Sequence, residues 1–255
     1  MLRLKRLMWK YGPALFIFGL ILSVWQIAVS AGNVRAQVLP GPLLIFDTLV
    51  QQWPVLWSNT YQTLIETVLG FTIALAGGIG CAILLDASPL FKRAVYPLLI
   101  ASQTIPLVGI APLLIVLFGF DLVPKLIVVW LVCFFPIVVS GVDGFGATQP
   151  EMTSLFESWG ASSWQIFWKL RLPSALPYLF SGIRIAVTYS VAGAVLAEYV
   201  ASERGLGNYI LKAKFYNDRI YAAIVMMALF SVGLFVVVNL VQHLTMPWWY
   251  KMRDN

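Results

Sequence analysis

The stretch SLFESWGASSWQIFWKLRLPSALPYLFSG, residues 154–182, separates two long apolar runs, and its charges and hinge set how the rest of the chain is read. It carries Glu157, Lys169 and Arg171, a single Gly160, and the prolines Pro173 and Pro177. The segment from Pro150 to Trp159 predicts a short helix with Met152, Leu155, Phe156 and Trp159 on one face. Gly160 breaks it. A second short helix follows over WQIFWKLRL, capped by Ser162 or Ser163 and ended by Pro173. Large apolar side chains on an elbow that faces water mark a docking surface.

Outward from the elbow, the chain is built for lipid. Of 255 residues, 60% are hydrophobic and 11% charged, whereas a soluble domain is about half apolar and a quarter charged. No stretch between the apolar runs is large enough for a soluble domain, so the net charge of +6 reports membrane orientation and not nucleic-acid binding. A span needs about 20 mostly apolar residues. Candidates lie at 12–31, 61–86, 95–119, 122–145, 178–200 and 222–244, giving an all-α integral membrane protein of about six helices. The third and fourth form a tight hairpin at Asp121. The first has a basic start and ends in AVSAG, but its apolar run is longer than that of a signal peptide, so we expect it to be retained.

Lys and Arg orient the bundle. Arg3, Lys5, Arg6, Lys10, Lys92, Arg93, Lys169, Arg171, Lys251 and Arg253 fall on the side that holds both termini, which is therefore expected to be cytoplasmic. Arg35, Arg204, Lys212, Lys214 and Arg219 fall on the other, with Lys125 near an edge. Trp9, Tyr11, Trp248, Trp249 and Tyr250 suit the interfacial belt. The loop at 32–59 is expected outside, with an interfacial amphipathic piece.

Small residues recur four apart: Ala74 and Gly78, Ala76 and Gly80, and the ladder Gly182, Ala186, Ser190 and Ala194. Such spacing packs helices in lipid. With the polar neighbours Thr188, Tyr189 and Ser190, the ladder's other reading is a pathway wall or subunit interface. The third span holds Pro97, Pro106 and Pro112 with Gln103 and Thr104 between. A proline-bent helix frees backbone groups that protein or cavity water must satisfy. Gln103, Thr104, Pro106, Thr188, Ser190 and Ala194 are the pathway candidates.

Glu66, Asp143, Arg184 and Glu198 sit near span ends, where snorkelling lowers their cost. No row of mid-membrane charges indicates a proton relay or voltage sensor. His243 and the separated Cys81 and Cys133 make neither a metal site nor a disulfide framework. No phosphate loop or other catalytic motif is present, so no cofactor is expected, and ATP-driven work would need a nucleotide-binding partner.

The elbow resembles the cytoplasmic loop of permease subunits of binding-protein-dependent ABC importers. Gly160 is followed by nine residues, Leu170, Arg171 and then Leu172-Pro173, which matches the family spacing. The family's E-A-A triplet falls on Ser154, Leu155 and Phe156, where this sequence departs from it. IPLVGIAPLLIVLFGF, FFPIVVSGVDG, SGIRIA and AEYVASERGLGNYI are similar to the nitrate, sulfonate, taurine and pyrimidine-precursor subgroup. The resemblance implies a type I importer fold, with an N-terminal helix and outer loop at 1–58, a transmembrane domain at 59–244 with its coupling loop at 146–177, and a tail at 245–255. It implies two cytoplasmic ATPase subunits docked at Glu157, Trp159, Gly160, Ala161, Trp164, Phe167, Lys169, Arg171, Leu172 and Pro173. Trp159, Ala161, Trp164 and Phe167 supply the buried contacts, and Lys169 and Arg171 the polar rim. It further implies a second permease copy as a homodimer and an extracytoplasmic solute-binding protein. The solute reading is a thiamine-pyrimidine precursor, with sulfonate, taurine or nitrate as alternatives. The competing classes are a standalone secondary transporter and a membrane anchor without a path.

Overall fold

The computed structural model describes residues 2–32 and 38–253. Arg35 lies outside these residues, and the side chains of Arg3, Lys5, Arg6, Trp9, Lys10, Tyr11 and Arg253 outside those described. Twelve helices run in order among the described residues. They are α1 (Leu2–Ser30), α2 (Pro42–Gln51), α3 (Trp53–Ala87), α4 (Pro89–Ser102), α5 (Leu107–Phe118) and α6 (Leu122–Gly146), then α7 (Pro150–Ser158), α8 (Ser163–Ile166), α9 (Leu172–Ala201), α10 (Leu206–Lys212), α11 (Asn217–Thr245) and α12 (Pro247–Arg253). Five described helical segments are long and apolar enough to cross a bilayer, and α4 with α5 makes a sixth if counted as one bent span.

The core is the packing of α3, α6 and α9, and the small residues make it possible. Gly78 lies against Ile137, and Gly141 against Ala82. A Cβ at Gly182 would stand 2.5 Å from the Pro136 carbonyl oxygen, so only glycine allows that approach. Between these contacts, Val129, Cys133, Ile137, Ala186 and Val187 are buried. The ladder on α9 is thus a packing face. The Ala74–Gly78 pair is buried as well, whereas Ala76 is exposed and Gly80 meets open space. The helix α2 is the amphipathic piece of the 32–59 loop, seated through Ile45 and by Thr48 donating to Asp218 at 2.9 Å.

Two helix boundaries differ from the sequence reading. The expected 95–119 helix is broken into α4 and α5, which meet at 98°. Pro106 has no N–H and pushes Ile105 out of the helical region. The freed carbonyls find local donors: Ser102 Oγ to Leu99 O at 2.7 Å, and Thr104 Oγ1 to Ala101 O at 2.8 Å. Conversely, Pro173 does not end a helix. The chain passes from α8 through a π-helical turn, Phe167–Arg171, directly into α9. Pro173 offers no N–H to the carbonyl four residues back, and Leu172 N–H bonds five back to Phe167 O, which absorbs the mismatch.

Candidate functional site

The elbow is defined by its two caps. At the end of α7, Gly160 adopts φ +77°, the left-handed region that favours glycine. Its N–H bonds to Glu157 O at 2.9 Å and Ala161 N–H to Phe156 O at 3.0 Å. This double bond pattern is a Schellman cap. One residue later, Ser162 caps α8 in a capping box. Gln165 N–H donates to Ser162 Oγ at 3.3 Å, and Ser162 N–H donates to Gln165 Oε1 at 2.8 Å. The turn between the helices therefore has hydrogen-bonded backbone at both ends.

Two tryptophans stand out from this turn. Trp159 is 72% exposed and Trp164 is 69% exposed. Phe156 backs Trp159 at 5.9 Å, and Trp168 backs Trp164 at 5.4 Å. Glu157 is exposed and Ala161 half-buried between them. Others of the expected docking residues are engaged by the bundle. Phe167 stacks on buried Phe145 at 5.9 Å, and Leu172 packs into the same cluster with Ala175 and Leu179. Phe167, half-buried, also stacks on Trp164 at 6.4 Å, so it joins the exposed aromatics to the core. Arg171 is likewise not a free polar rim: its guanidinium donates to Asp86 Oδ1 at 2.6 Å. Lys169 and Pro173 face a groove of about 250 Å³ shared with Trp248 and Trp249. Trp168, exposed beside Trp164, belongs to the aromatic surface although the spacing of the elbow did not single it out.

A cavity of about 560 Å³ opens at the α4–α5 break. Gln103, Thr104 and Pro106 line it, opposite Leu131, Val132, Phe135 and Pro136 of α6 and Tyr189 of α9. Ile105 and Tyr189 are more than half exposed, so the cavity reaches the surface of the single chain. The structure does not bring the other three pathway candidates here. Thr188 is exposed and donates to its own helix at Arg184 O. Ser190 and Ala194 are both 0% exposed, inside the α9 packing face. The aromatic wall residue Phe135 carried no sequence signal of its own in so apolar a chain, whereas Tyr189 is one of the polar neighbours that favoured a pathway along the ladder.

At the other end of the bundle the charges depart from expectation. Glu66 and Glu198 do not snorkel; both are 0% exposed. Lys125 Nζ donates to Glu66 Oε1 at 2.8 Å. A second cavity, of about 740 Å³, lies beside them, lined by Gln62, Asp121, Lys125, Tyr199, Ser202 and Arg204 among others. The described residues hold no cluster of His, Cys, Asp or Glu suited to a metal ion.

A helical bundle with a broken span and a capped, aromatic elbow is the fold of a type I ABC importer permease. The permease chain of the MetNI methionine ABC transporter in an inward-facing crystal form superposes with a TM-score of 0.63 at 18% identity, over 77% of this chain and 97% of that one. Residues 67–249 match the family described as the binding-protein-dependent transport system inner membrane component, and the chain belongs to that family. It is 31% identical over 248 residues to the formylaminopyrimidine transport permease protein ThiX of Halalkalibacterium halodurans, covering 96% of this chain and 98% of that protein. It is 34% identical to the riboflavin transport system permease protein RibX of Chloroflexus aurantiacus, over 90% and 87% of the two chains. A probable ABC transporter permease of Haemophilus influenzae is 32% identical over 90% of this chain and 94% of its own. The protein is an ABC importer permease that crosses the membrane several times.

Proposed function

We propose that this permease moves a small heteroaromatic solute, of the thiamine-pyrimidine precursor class, through a path completed by a second copy of itself. Separate ATPase subunits drive it through the elbow, and an extracytoplasmic binding protein delivers the solute. The observation that carries the reading is the rigid elbow with Trp159 and Trp164 in water. Side chains of that size, mostly exposed on a doubly capped turn, are suited to insertion into a partner's groove. Nucleotide-driven movement of that partner would pull on α9 directly, because the π turn joins α8 to α9 without a loop.

The cavity at the α4–α5 break supports the pathway. Its amide and hydroxyl from Gln103 and Thr104 sit among apolar and aromatic walls, a lining suited to a flat, weakly polar ring. Its exposed edge at Ile105 and Tyr189 is where a second copy would close it. The elbow side is taken as cytoplasmic from the basic residues around it. Formylaminopyrimidine leads the solute proposal through the relative that carries it in its name, with riboflavin, sulfonates and taurine behind it.

The test is purification of the tagged protein from its own membranes in mild detergent, with mass spectrometry of what accompanies it. A stoichiometric ATPase bearing a phosphate loop is the expected result. A protein that arrives alone and moves solute into liposomes without ATP would establish the standalone transporter instead.

A further inference from the structure

The corner at 202–208 comprises the connection that follows α9 and the first turn of α10, and it forms part of the wall of the 740 Å³ cavity. Its backbone is bound by side chains of α3 and of the end of α9. Gly205 N–H donates to Asn59 Oδ1 at 2.9 Å, Leu206 N–H to Thr63 Oγ1 at 3.0 Å, and Gly207 N–H to Glu198 Oε2 at 2.8 Å. Thr63 in turn donates to Glu198 Oε1 at 2.7 Å. Gly205 has φ +106°, and a Cβ there would run into the Glu198 carboxylate. A Cβ at Gly207 would strike the Val195 carbonyl oxygen. The E-x-x-x-x-x-x-G-x-G spacing from Glu198 to Gly207 is therefore the imprint of a loop laid directly on a buried carboxylate.

Among the described residues, Lys125 is the cation paired with a carboxylate at this corner. Glu198 lies beside Glu66, both without solvent. Lys125 from α6, 7% exposed, answers Glu66 at 2.8 Å and reaches the corner itself through Ser202 Oγ at 2.8 Å. Gln62 adds a second donor to Glu66 Oε1 at 2.8 Å. Asp121 and Arg204 line the cavity nearby. Removing one member of a buried ion pair leaves an uncompensated charge, whereas removing both leaves little penalty.

We infer that Lys125 and Glu66 are positioning residues that hold the 202–208 corner as a fixed wall of this cavity. Lys125 is the clamp because, among the described residues, it alone bonds both to the α3 carboxylate and to the corner while lining the cavity. Its loss would leave Glu66 beside Glu198, the carboxylate on which Gly207 is seated, and lift the corner away.

The experiment is hydrogen–deuterium exchange on the intact permease, with its co-purifying subunits, in phosphatidylcholine nanodiscs. Wild-type peptides over 202–212 should exchange slowly. In Lys125→Met they should exchange at least tenfold faster, while elbow peptides over 150–170 stay within twofold. Lys125→Arg should keep the wild-type rate. Adding Glu66→Gln to Lys125→Met should restore protection to within about threefold, because it removes the carboxylate left without a cation. Ser202→Ala, which leaves the charges intact, should accelerate exchange about threefold and keeps the test available if Lys125→Met fails to insert. Equal exchange in wild type and Ser202→Ala, equal acceleration of the elbow and the corner in Lys125→Met, or a double variant as open as Lys125→Met would each overturn the assignment. None of these outcomes depends on the identity of the solute or on ATP.

Discussion

Arg171 and Asp86 meet at 2.6 Å, and through them the base of the elbow is fastened to the end of α3. The side chains keep 34% and 13% of their exposure, so solvent screens the pair and its coupling should be about 1 kcal/mol. Arg171→Gln or Asp86→Asn should each lower transport-coupled ATP hydrolysis several-fold. The charge-swapped double variant, Asp86→Arg with Arg171→Asp, should recover at least half of the loss. A double-mutant cycle on the reconstituted complex reads that coupling.

Gly160 should tolerate no ordinary side chain without cost. A left-handed backbone penalises an L residue by roughly 1–2 kcal/mol. Gly160→Ala should therefore loosen the elbow, and Gly160→Asp should place a charge in the docking face as well. The Gly160→Asp protein is expected to insert at wild-type levels while retaining less than a tenth of its ATPase partner, measured by stoichiometry after detergent extraction.

Trp159 and Phe167 should part company on truncation. Trp159→Ala removes a side chain that is 72% exposed and should change thermal stability by no more than about 0.5 kcal/mol. Phe167→Ala removes the stacking partner of buried Phe145 and should cost about 2 kcal/mol. Partner retention should fall in both. Unfolding of the isolated permease in detergent separates the two causes.

Gly182 and Gly80 offer a matched contrast for the core. A Cβ at Gly182 meets the Pro136 carbonyl oxygen and the Ser140 side chain, whereas one at Gly80 meets nothing within 4 Å. Gly182→Ala should destabilise by about 2 kcal/mol through overpacking. Gly80→Ala should be neutral or slightly stabilising, since it restricts the unfolded chain. A large loss at Gly80 in the assembled protein would place that face in a subunit contact.

Much of the fold was legible because lipid demands long apolar helices and tolerates few charges. Spans around α3, α6, α9 and α11, the glycine turn at 160 and the packing role of Gly182 all follow from composition and local chemistry. The helix ends at prolines were not. Pro106 breaks its helix and the Ser102 and Thr104 hydroxyls satisfy carbonyls left free there, whereas Pro173 is carried through because a π turn re-pairs the backbone. Both have the same one-letter signature. The site was partly legible for the same reason. Exposed Trp159 and Trp164 stood in a polar stretch, but the inward turn of Phe167 and the capture of Arg171 by Asp86 depend on partners distant in sequence. Glu66 and Lys125 are 59 residues apart, and nothing local distinguishes a snorkelling charge from a clamped one.

The most direct test of the central claim places a photo-crosslinking amino acid at Trp159 in the native membrane and identifies what it captures. The account predicts capture of an ATPase subunit in high yield, abolished by Gly160→Asp and absent when the crosslinker is moved to the buried Phe145. Capture of lipid alone, with the ATPase present in the same membranes, would show that the elbow is not the coupling surface.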